Sequence, residues 1–422
     1  MLSTELRTEL SKALSKLTQA SAATSVNRGR TQPIHVVYGG AQLFKVGTVE
    51  KIGKMAVSHF EQYVTQASRV REMLDVQFSE SIWQQSIKRA RGMLQRRSVQ
   101  DYRIDFEDGF GIRTADEEDQ FARASAESLA DELKGNRIRC DIGLRVKSLD
   151  HDTAERATRT LEIFCSTLFA KWTPSIGQYL ILTLPKVRSS LQAEAINRIC
   201  GILENRHKLQ PNFIRLELMI ESLGVFAANV IPQMIAATAS RLQSFHIGSY
   251  DLTAQCGVAA QDQSMRHPAC DFAIMGLKAA TDETDIWISD GATATLPIPP
   301  HREGDKALTM SQEAENAKTV FHAWRRSYMD ISSSLRLGVP QGWDLHPHQI
   351  AIRYLTLAHY YSVNLESMRA RMENFFKHKS QATAVGTAFD DAATVRGLTN
   401  FFQRGLAIGA IQEEECAGFR LG

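Results

Sequence analysis

The sequence predicts an α/β protein built on a (β/α)8 barrel, with an N-terminal helix and a C-terminal helical extension. Three observations support this prediction. Eight short apolar or alternating segments recur along the 422 residues, helical segments separate them, and polar residues follow nearly all of them. Strands that alternate with helices are typical of a parallel sheet, and eight of them favour a closed barrel over an open sheet. Neither GxGxxG nor GxxxxGK[ST] follows any of these segments, which argues against a dinucleotide-binding or P-loop fold.

The elements follow in chain order. The predicted strands cover residues 34–38, 102–106, 140–146, 179–184, 213–220, 244–248, 284–289 and 342–346. The predicted helices between them cover residues 116–133, 152–169, 189–207, 223–239 and 311–335.

The ends of the chain lie outside this alternation. Residues 1–33 carry leucines at helical spacing followed by a polar stretch, and they predict an N-terminal helix and linker. Residues 34–349 form the predicted barrel, and residues 350–422 show no strand pattern and are predicted to be helical. The long connection from 291 to 341 is typical of a lid beside a barrel mouth.

Composition excludes several classes of protein. Hydrophobic residues make up 43% and charged residues 23% of the chain, as in soluble globular proteins. Lys+Arg is 49 and Asp+Glu is 47, a balance that indicates neither nucleic acid nor an anionic membrane as a partner. The basic run over residues 88–103 is interpreted first as a solvated helix face, with a polyanion site as the less favoured alternative.

Cysteine spacing and hydropathy bear on the compartment. The six cysteines are far apart and form no CxxC pair, which predicts free thiols in a reducing compartment. No window holds the roughly 18 consecutive apolar residues that a membrane span needs. We therefore expect a soluble, cytoplasmic protein without a membrane partner.

Polar residues that follow the predicted strands are the candidates for a functional site, because strand ends converge at one mouth of a barrel. The acids and bases at these positions are Asp105, Glu107, Asp108, Arg145, Lys186, Glu221, His246, Asp251, Asp290 and His346. Their carboxylates form an all-oxygen ligand set, which suits Mg²⁺, or alternatively Mn²⁺, and does not suit zinc. A divalent ion held there would polarise a carbonyl and stabilise an enolate.

Each candidate also has a structural interpretation. Glu217 and Glu221 share one strand face, so either could form an ion pair with Arg145 or Arg215. Asp251 could cap the next helix. Lys186 could be an exposed loop lysine, and a structural role for His346 is weighted equally with a functional one.

Arg145 and the start of the sixth βα connection are the predicted anion-binding groups. The guanidinium of Arg145 can bind a carboxylate through two hydrogen bonds. Backbone N–H groups at Gly248 and Ser249, where the following helix opens, would bind a carboxylate.

Six segments in order carry a family resemblance. They are 104–108 (IDFED), 143–146 (GLRV), 183–187 (TLPKV), 219–222 (MIES), 248–252 (GSYDL) and 342–349 (GWDLHPHQ). The chain from about 34 to 350 resembles the superfamily of citrate lyase β-subunits, malyl-CoA lyases and HpcH/HpaI class II aldolases, which are phosphoenolpyruvate/pyruvate-binding TIM barrels. Residues 101–111 and 341–347 look like a long-chain, aldolase-like branch of it.

The resemblance implies roles for individual residues. Glu221 and Asp251 match the Mg²⁺ ligands, and Arg145 matches the substrate-binding arginine. Glu107 and Asp108 match an acidic pair that holds metal-bound water or handles protons. Lysine 186 matches a lysine near the substrate, and the family often forms homo-oligomers.

The chain departs from the family pattern at three places. The usual opening LFVPG is replaced by HVVYGGA at 35–41, so the sequence does not support recognition of a coenzyme A thioester. Ser222 follows the predicted metal ligand where the family usually has threonine. No residue of 350–422 matches the catalytic acid that malyl-CoA lyases take from a neighbouring subunit.

These features favour a Mg²⁺-dependent carbon–carbon lyase that acts on a small 2-oxo or hydroxy acid through a metal-stabilised enolate. The first alternative is phosphoryl transfer on phosphoenolpyruvate or pyruvate, which the lack of a nucleotide-binding motif disfavours. The second is a non-catalytic, metabolite-binding barrel. A nucleic-acid function that depends on residues 88–103 is the weakest hypothesis.

Overall fold

The structure is a computed structural model that describes residues 27, 29–65, 67–75, 79–227, 229–282, 284–304, 307–378, 383–385, 388–390, 392–416 and 419. The predicted N-terminal helix lies outside these residues. The chain forms two compact units. The first comprises Met1–Glu50, Val99–Ala294 and Ser334–Leu345, and the second comprises Lys51–Ser98, Thr295–Ser333 and His346–Gly422. The division into 1–33, 34–349 and 350–422 stays a prediction.

The first unit contains a closed barrel of eight parallel strands, in which each strand pairs with the next and the eighth pairs with the first. The strands are β1 (His35–Gly40), β2 (Asp101–Asp105), β3 (Asp141–Arg145), β4 (Leu180–Leu184), β5 (Ile214–Ile220), β6 (Leu242–Ile247), β7 (Trp287–Ala292) and β8 (Gln341–Asp344). The predicted fold class is confirmed, and every predicted strand overlaps an observed one.

Helices follow most of these strands within the same unit. They are Ala115–Lys134, Ala154–Lys171, Ser190–His207, Val230–Thr238, Ser249–Gln255 and Pro268–Ala280. The single helix predicted over 223–239 is wrong, because a short 3-10 turn, Leu223–Phe226, precedes Val230–Thr238. Asn229, at a left-handed φ of 62°, separates the two, and a left-handed residue interrupts a right-handed helix.

A polar network fills part of the barrel interior. The buried carboxylate of Glu217 accepts hydrogen bonds from Tyr38 (2.8 Å), Thr183 (2.7 Å) and Ser244 (3.0 Å). Arg103 lies 3.4 Å from it. Burial raises the pKa of Glu217, but the charge of Arg103 and the hydrogen bonds lower it by more. The pKa of Glu217 is therefore lowered to about 2. The ion pair of Glu217 therefore forms with Arg103, and not with Arg145 or Arg215 as the sequence suggested.

The second unit is mainly helical. Its helices include Glu80–Arg96, Pro347–His378 and Ala392–Ile408. The expectation that 350–422 contains no strand is wrong, because Thr383–Val385 and Ala388–Asp390 form an antiparallel pair. The basic run is also not one solvated face. The side chain of Arg89 is only 8% exposed and pairs with Glu415, and Arg103 lies inside the barrel of the first unit.

Two further expectations from composition can be compared with the structure. All six cysteines are free thiols, and four of them are buried. Among the helices that the structure describes, none combines the length and the apolar character needed to cross a bilayer.

Candidate active site

Arg145 ends β3 and lies almost fully buried in the barrel. Its Nε and Nη2 donate to the two carboxylate oxygens of Asp105 at 2.7 and 2.6 Å. The guanidinium carbon lies 4.9 Å from the ring centre of Tyr38 and 5.3 Å from that of Trp343. A two-point ion pair and two aromatic faces fix the guanidinium in place. Sequence reasoning named Arg145 and Asp105 as strand-end residues, but it missed their pairing and both rings.

Glu107 lies between two cations at the end of β2. One oxygen lies 3.1 Å from Arg145 Nη1, and the other accepts a hydrogen bond from the ammonium of Lys186. The exposed Asp108 lies 3.6 Å from the same ammonium. Burial lowers the pKa of Lys186, but the hydrogen bond that Lys186 donates to Glu107 and the charges of the nearby carboxylates raise it by more. The structure therefore brings Glu107, Asp108, Arg145 and Lys186 together.

Lys186 occupies a backbone conformation that ordinary residues rarely adopt. Its φ is 55°, in the left-handed region, and it comes directly after Pro185, the first residue beyond β4. In this turn the backbone N–H of Lys186 donates to Glu221 at 2.6 Å while its ammonium contacts Glu107. Lys186 is therefore not a freely solvated loop lysine, and the strained turn links two acidic residues of the site.

Glu221 and Asp251 are the two predicted metal ligands. Glu221 is 3% exposed, and burial together with the charges of Asp251 and Glu107 raises its pKa to about 8, against the hydrogen bond from Lys186. The capping alternative for Asp251 is wrong, because Gly248 is the N-cap and Asp251 lies in the first turn. No described residue forms a hydrogen bond or an ion pair with the Asp251 carboxylate.

This donor set fits a hard divalent cation. A buried carboxylate that faces further negative charge is unfavourable without a compensating cation. No group of three or more His, Cys, Asp or Glu side chains in the described part of the chain is arranged to hold a metal ion. Mg²⁺ is commonly held by one or two carboxylates with water and substrate as the other ligands. Glu221 and Asp251 would be those two carboxylates.

Gly248 has a different function from the predicted one. Its backbone N–H donates to the Ile220 carbonyl at 3.0 Å, so it is not available to bind a carboxylate. A Cβ at Gly248 would lie 2.3 Å from Cγ of Glu221, which leaves no room for a side chain. Ser249 is buried, and its hydroxyl lies against Gly291 of β7. A substrate contact by Ser249 stays a prediction.

The close contact at Gly248 leads to a testable prediction. Replacing Gly248 with Ala should displace the Glu221 carboxylate and lower Mg²⁺ affinity by about 10- to 100-fold, a range typical of changes next to metal ligands. Isothermal titration calorimetry with Mg²⁺ measures this. Gly201→Ala is the control, because no atom lies within 4 Å of the added Cβ on that helix. Equal Mg²⁺ affinity in both variants would contradict the assignment of Glu221.

His346 lies in the second compact unit. Its ring nitrogen Nδ1 accepts a hydrogen bond from the backbone N–H of His348 at 3.2 Å. Its backbone N–H donates to the side-chain oxygen of Gln349 at 3.2 Å, at the start of the helix Pro347–His378. Burial and the neighbouring His348 lower the pKa of His346 to about 4. These contacts favour the structural interpretation, and substrate binding by His346 stays a prediction.

The fold and the site define a class: a parallel (β/α)8 barrel with acidic, arginine and lysine side chains gathered where the strands end. The chain belongs to the family described as a domain of unknown function, DUF6986, whose model matches residues 16–421. No protein among the curated sequences matches it.

The chain is similar to several solved structures at low sequence identity. A citrate lyase from Burkholderia xenovorans LB400 aligns with a TM-score of 0.55 at 17% identity, over 79% of this chain and 92% of that one. CitE from Mycobacterium tuberculosis, in complex with magnesium, acetoacetate and coenzyme A, gives 0.49 at 14%, over 91% and 98%. Haloferax volcanii malate synthase with pyruvate and acetyl-CoA gives 0.47 at 14%, over 92% and 95%. The citrate lyase similarity supports the barrel fold.

Proposed function

We propose that this protein is a Mg²⁺-dependent carbon–carbon lyase that acts on a small 2-oxo or hydroxy acid, within the citrate lyase and aldolase superfamily. One observation carries the proposal. The buried Glu221 carboxylate faces the charges of Asp251 and Glu107, and Glu107 in turn contacts the fixed guanidinium of Arg145 at 3.1 Å. The two carboxylates would be stabilised by a metal ion, and the arginine and lysine beside them can bind an organic acid. A metal-assisted reaction on such an acid requires both features.

The acidic residues and Arg145 have different parts in this proposal. Glu221 and Asp251 would hold Mg²⁺, with Mn²⁺ as the alternative ion. When bound, Mg²⁺ would polarise a substrate carbonyl and stabilise negative charge on its oxygen. Arg145 orients the acid, because Asp105 and two aromatic rings hold the guanidinium. Asp108, with its side chain 55% exposed, exchanges a proton with solvent.

In the aldol case, cleavage of the hydroxy-oxo acid needs neither an oxidant nor a second reactant. The bond between the carbon next to the 2-oxo group and the hydroxyl-bearing carbon breaks, and its electron pair moves onto the carbonyl oxygen of the oxo acid. The hydroxyl loses its proton and becomes a carbonyl in the second product. Protonation at carbon then completes the oxo acid.

A substrate panel tests this function. Purified protein should cleave at least one 4-hydroxy-2-oxo or 3-hydroxy acid with Mg²⁺, and activity should be lost with EDTA and restored by Mg²⁺ or Mn²⁺. Asp251→Asn should lower Mg²⁺ affinity and kcat/KM at least about 10-fold, since it removes one of two charged ligands. Thermal stabilisation by the acids without turnover would instead indicate a metabolite-binding barrel. Nucleotide-dependent turnover of pyruvate would indicate phosphoryl transfer.

Other properties remain predictions that this proposal does not need. They are the use of a coenzyme A thioester, assembly into homo-oligomers and a cytoplasmic location, which the six free cysteines suit. The predicted absence of a nucleic-acid or membrane partner belongs with them.

A further inference from the structure

His246 on β6 is a buried polar side chain that the proposed reaction does not use. It is 0% exposed, and neither Nδ1 nor Nε2 has a hydrogen-bond partner in the part of the chain that the structure describes. Buried polar atoms in folded proteins nearly always have a partner, so an orphaned imidazole indicates a ligand or a bound water. Two orphaned ring nitrogens on one side chain strengthen this indication.

The surroundings of His246 connect it with Arg145. The His246 ring lies edge-on to Tyr38 and Trp343, with ring centres 5.8 Å apart in both pairs. Arg145 lies over the same two rings. The buried Nε1 of Trp343 also lacks a partner among the described residues. Two residues of one aromatic cluster therefore leave hydrogen-bonding atoms unused beside the arginine of the site.

Strand register places His246 two residues before the level of Glu221, one of the two candidate metal ligands. His246 pairs with Met219 on β5, and Gly248 and Glu221 come two residues later, directly after the two strands. The hydrogen bond from the Gly248 N–H to the Ile220 carbonyl continues the pairing to this point. Residues two apart on a strand face the same side, about 7 Å apart. Because Gly248 has no side chain, the Glu221 side chain occupies the volume that a Cβ at position 248 would take.

Met219 lies next to His246 across the β5–β6 pair. Its sulfur lies 3.9 Å from Nη1 of Arg145. Methionine is unbranched and adapts its conformation easily, so Met219 can move to admit a small group.

The protonation state of His246 limits which chemical groups it can bind. Burial lowers the pKa of His246 to about 4, with Arg103 and Arg145 lowering it and Glu217 opposing them. A neutral imidazole offers one N–H donor and one acceptor nitrogen, and the indole adds one donor. A hydroxyl matches this set, because it can accept from the indole N–H while it donates to the unprotonated ring nitrogen of His246. A carboxylate can only accept and would leave that nitrogen without a partner.

We propose that His246 and Trp343 bind a hydroxyl group of the substrate and determine specificity for a hydroxylated oxo acid. The proposal depends on the proposed function, because it places the acid at Glu221 and Arg145. It extends the substrate from those residues toward the barrel interior.

Hydroxypyruvate and pyruvate form a matched pair of probes that differ by one hydroxyl. With saturating Mg²⁺, calorimetry should show that the wild-type protein binds hydroxypyruvate about 3- to 10-fold more tightly than pyruvate. His246→Phe should bring this ratio to about 1. His246→Gln, which keeps a donor and an acceptor, should retain part of the preference. Comparing two ligands within one variant cancels general effects of the substitution.

The outcomes separate the two proposals. If neither acid binds the wild-type protein with Mg²⁺, the proposed function fails and the role of His246 fails with it. If both bind but the ratio is 1, or if it is unchanged in His246→Phe, only the role of His246 is overturned and a bound water explains the imidazole. Should His246→Phe not fold, ¹⁵N NMR of the wild-type imidazoles decides. A His246 shift with hydroxypyruvate but not with pyruvate supports the proposal, and equal shifts overturn it.

Discussion

Replacement of Arg145 with Leu is expected to lower the free energy of unfolding by about 3–5 kcal/mol and to abolish activity. The physical reason is the ion pair with Asp105, in which both side chains are 1% exposed. Removing one partner of a buried pair leaves an uncompensated charge, and that penalty is of this size. Activity is lost because Arg145 is the fixed cation next to Glu107. Urea unfolding and the substrate panel measure the two effects.

Two further variants show whether the effect comes from the buried charge. Arg206→Leu breaks the pair with Glu162, in which both side chains are about half exposed, and should cost no more than about 1 kcal/mol. Adding Asp105→Asn to Arg145→Leu removes the orphaned charge and should recover part of the lost stability. If the double variant is less stable than Arg145→Leu, the account based on an unpaired buried charge is wrong.

The fold was largely predictable because barrel strands are short, apolar and regularly separated by helices. The alternation that identifies β2 also indicates that Arg103 belongs to this strand and not to the basic helix before it, because Tyr102 and Ile104 flank it within the strand. Grouping Arg103 with the basic residues before it hid this pattern. The strands Thr383–Val385 and Ala388–Asp390 could not be predicted, because three residues are too few for a period-two pattern.

The candidate site was predictable at the level of residue types and strand ends, but not at the level of partners. Which carboxylate pairs with which arginine depends on register and side-chain reach, and sequence spacing does not specify these across strands. Glu217 thus pairs with Arg103 from β2, and Asp105 pairs with Arg145. The sequence placed His246 at a strand end, but it does not show that the imidazole lacks partners, because a buried histidine with partners has the same neighbours along the chain.

Replacement of Glu221 with Gln is expected to stabilise the metal-free protein, increasingly so as the pH rises. Burial and Asp251 raise the pKa of Glu221 from about 4.5 to about 8 in the folded state. Between these values the folded protein holds a proton that the unfolded chain has released. The free energy of unfolding of the wild type therefore falls with rising pH, by up to about 1.4 kcal/mol per pH unit. Glutamine has no charge to bury and lacks this slope.

Glu217→Gln is the matched control, since Glu217 lies four residues earlier on the same strand and its pKa is lowered to about 2. Its stabilising contribution is complete above pH 4.5, so its loss should be constant from pH 5 to 8. Urea unfolding across this range, with and without Mg²⁺, measures all three proteins. Mg²⁺ should stabilise the wild type most at high pH and should not stabilise Glu221→Gln. A constant difference between Glu221→Gln and the wild type would mean that Glu221 carries no unfavourable buried charge, and the argument for a cation at this site would fail.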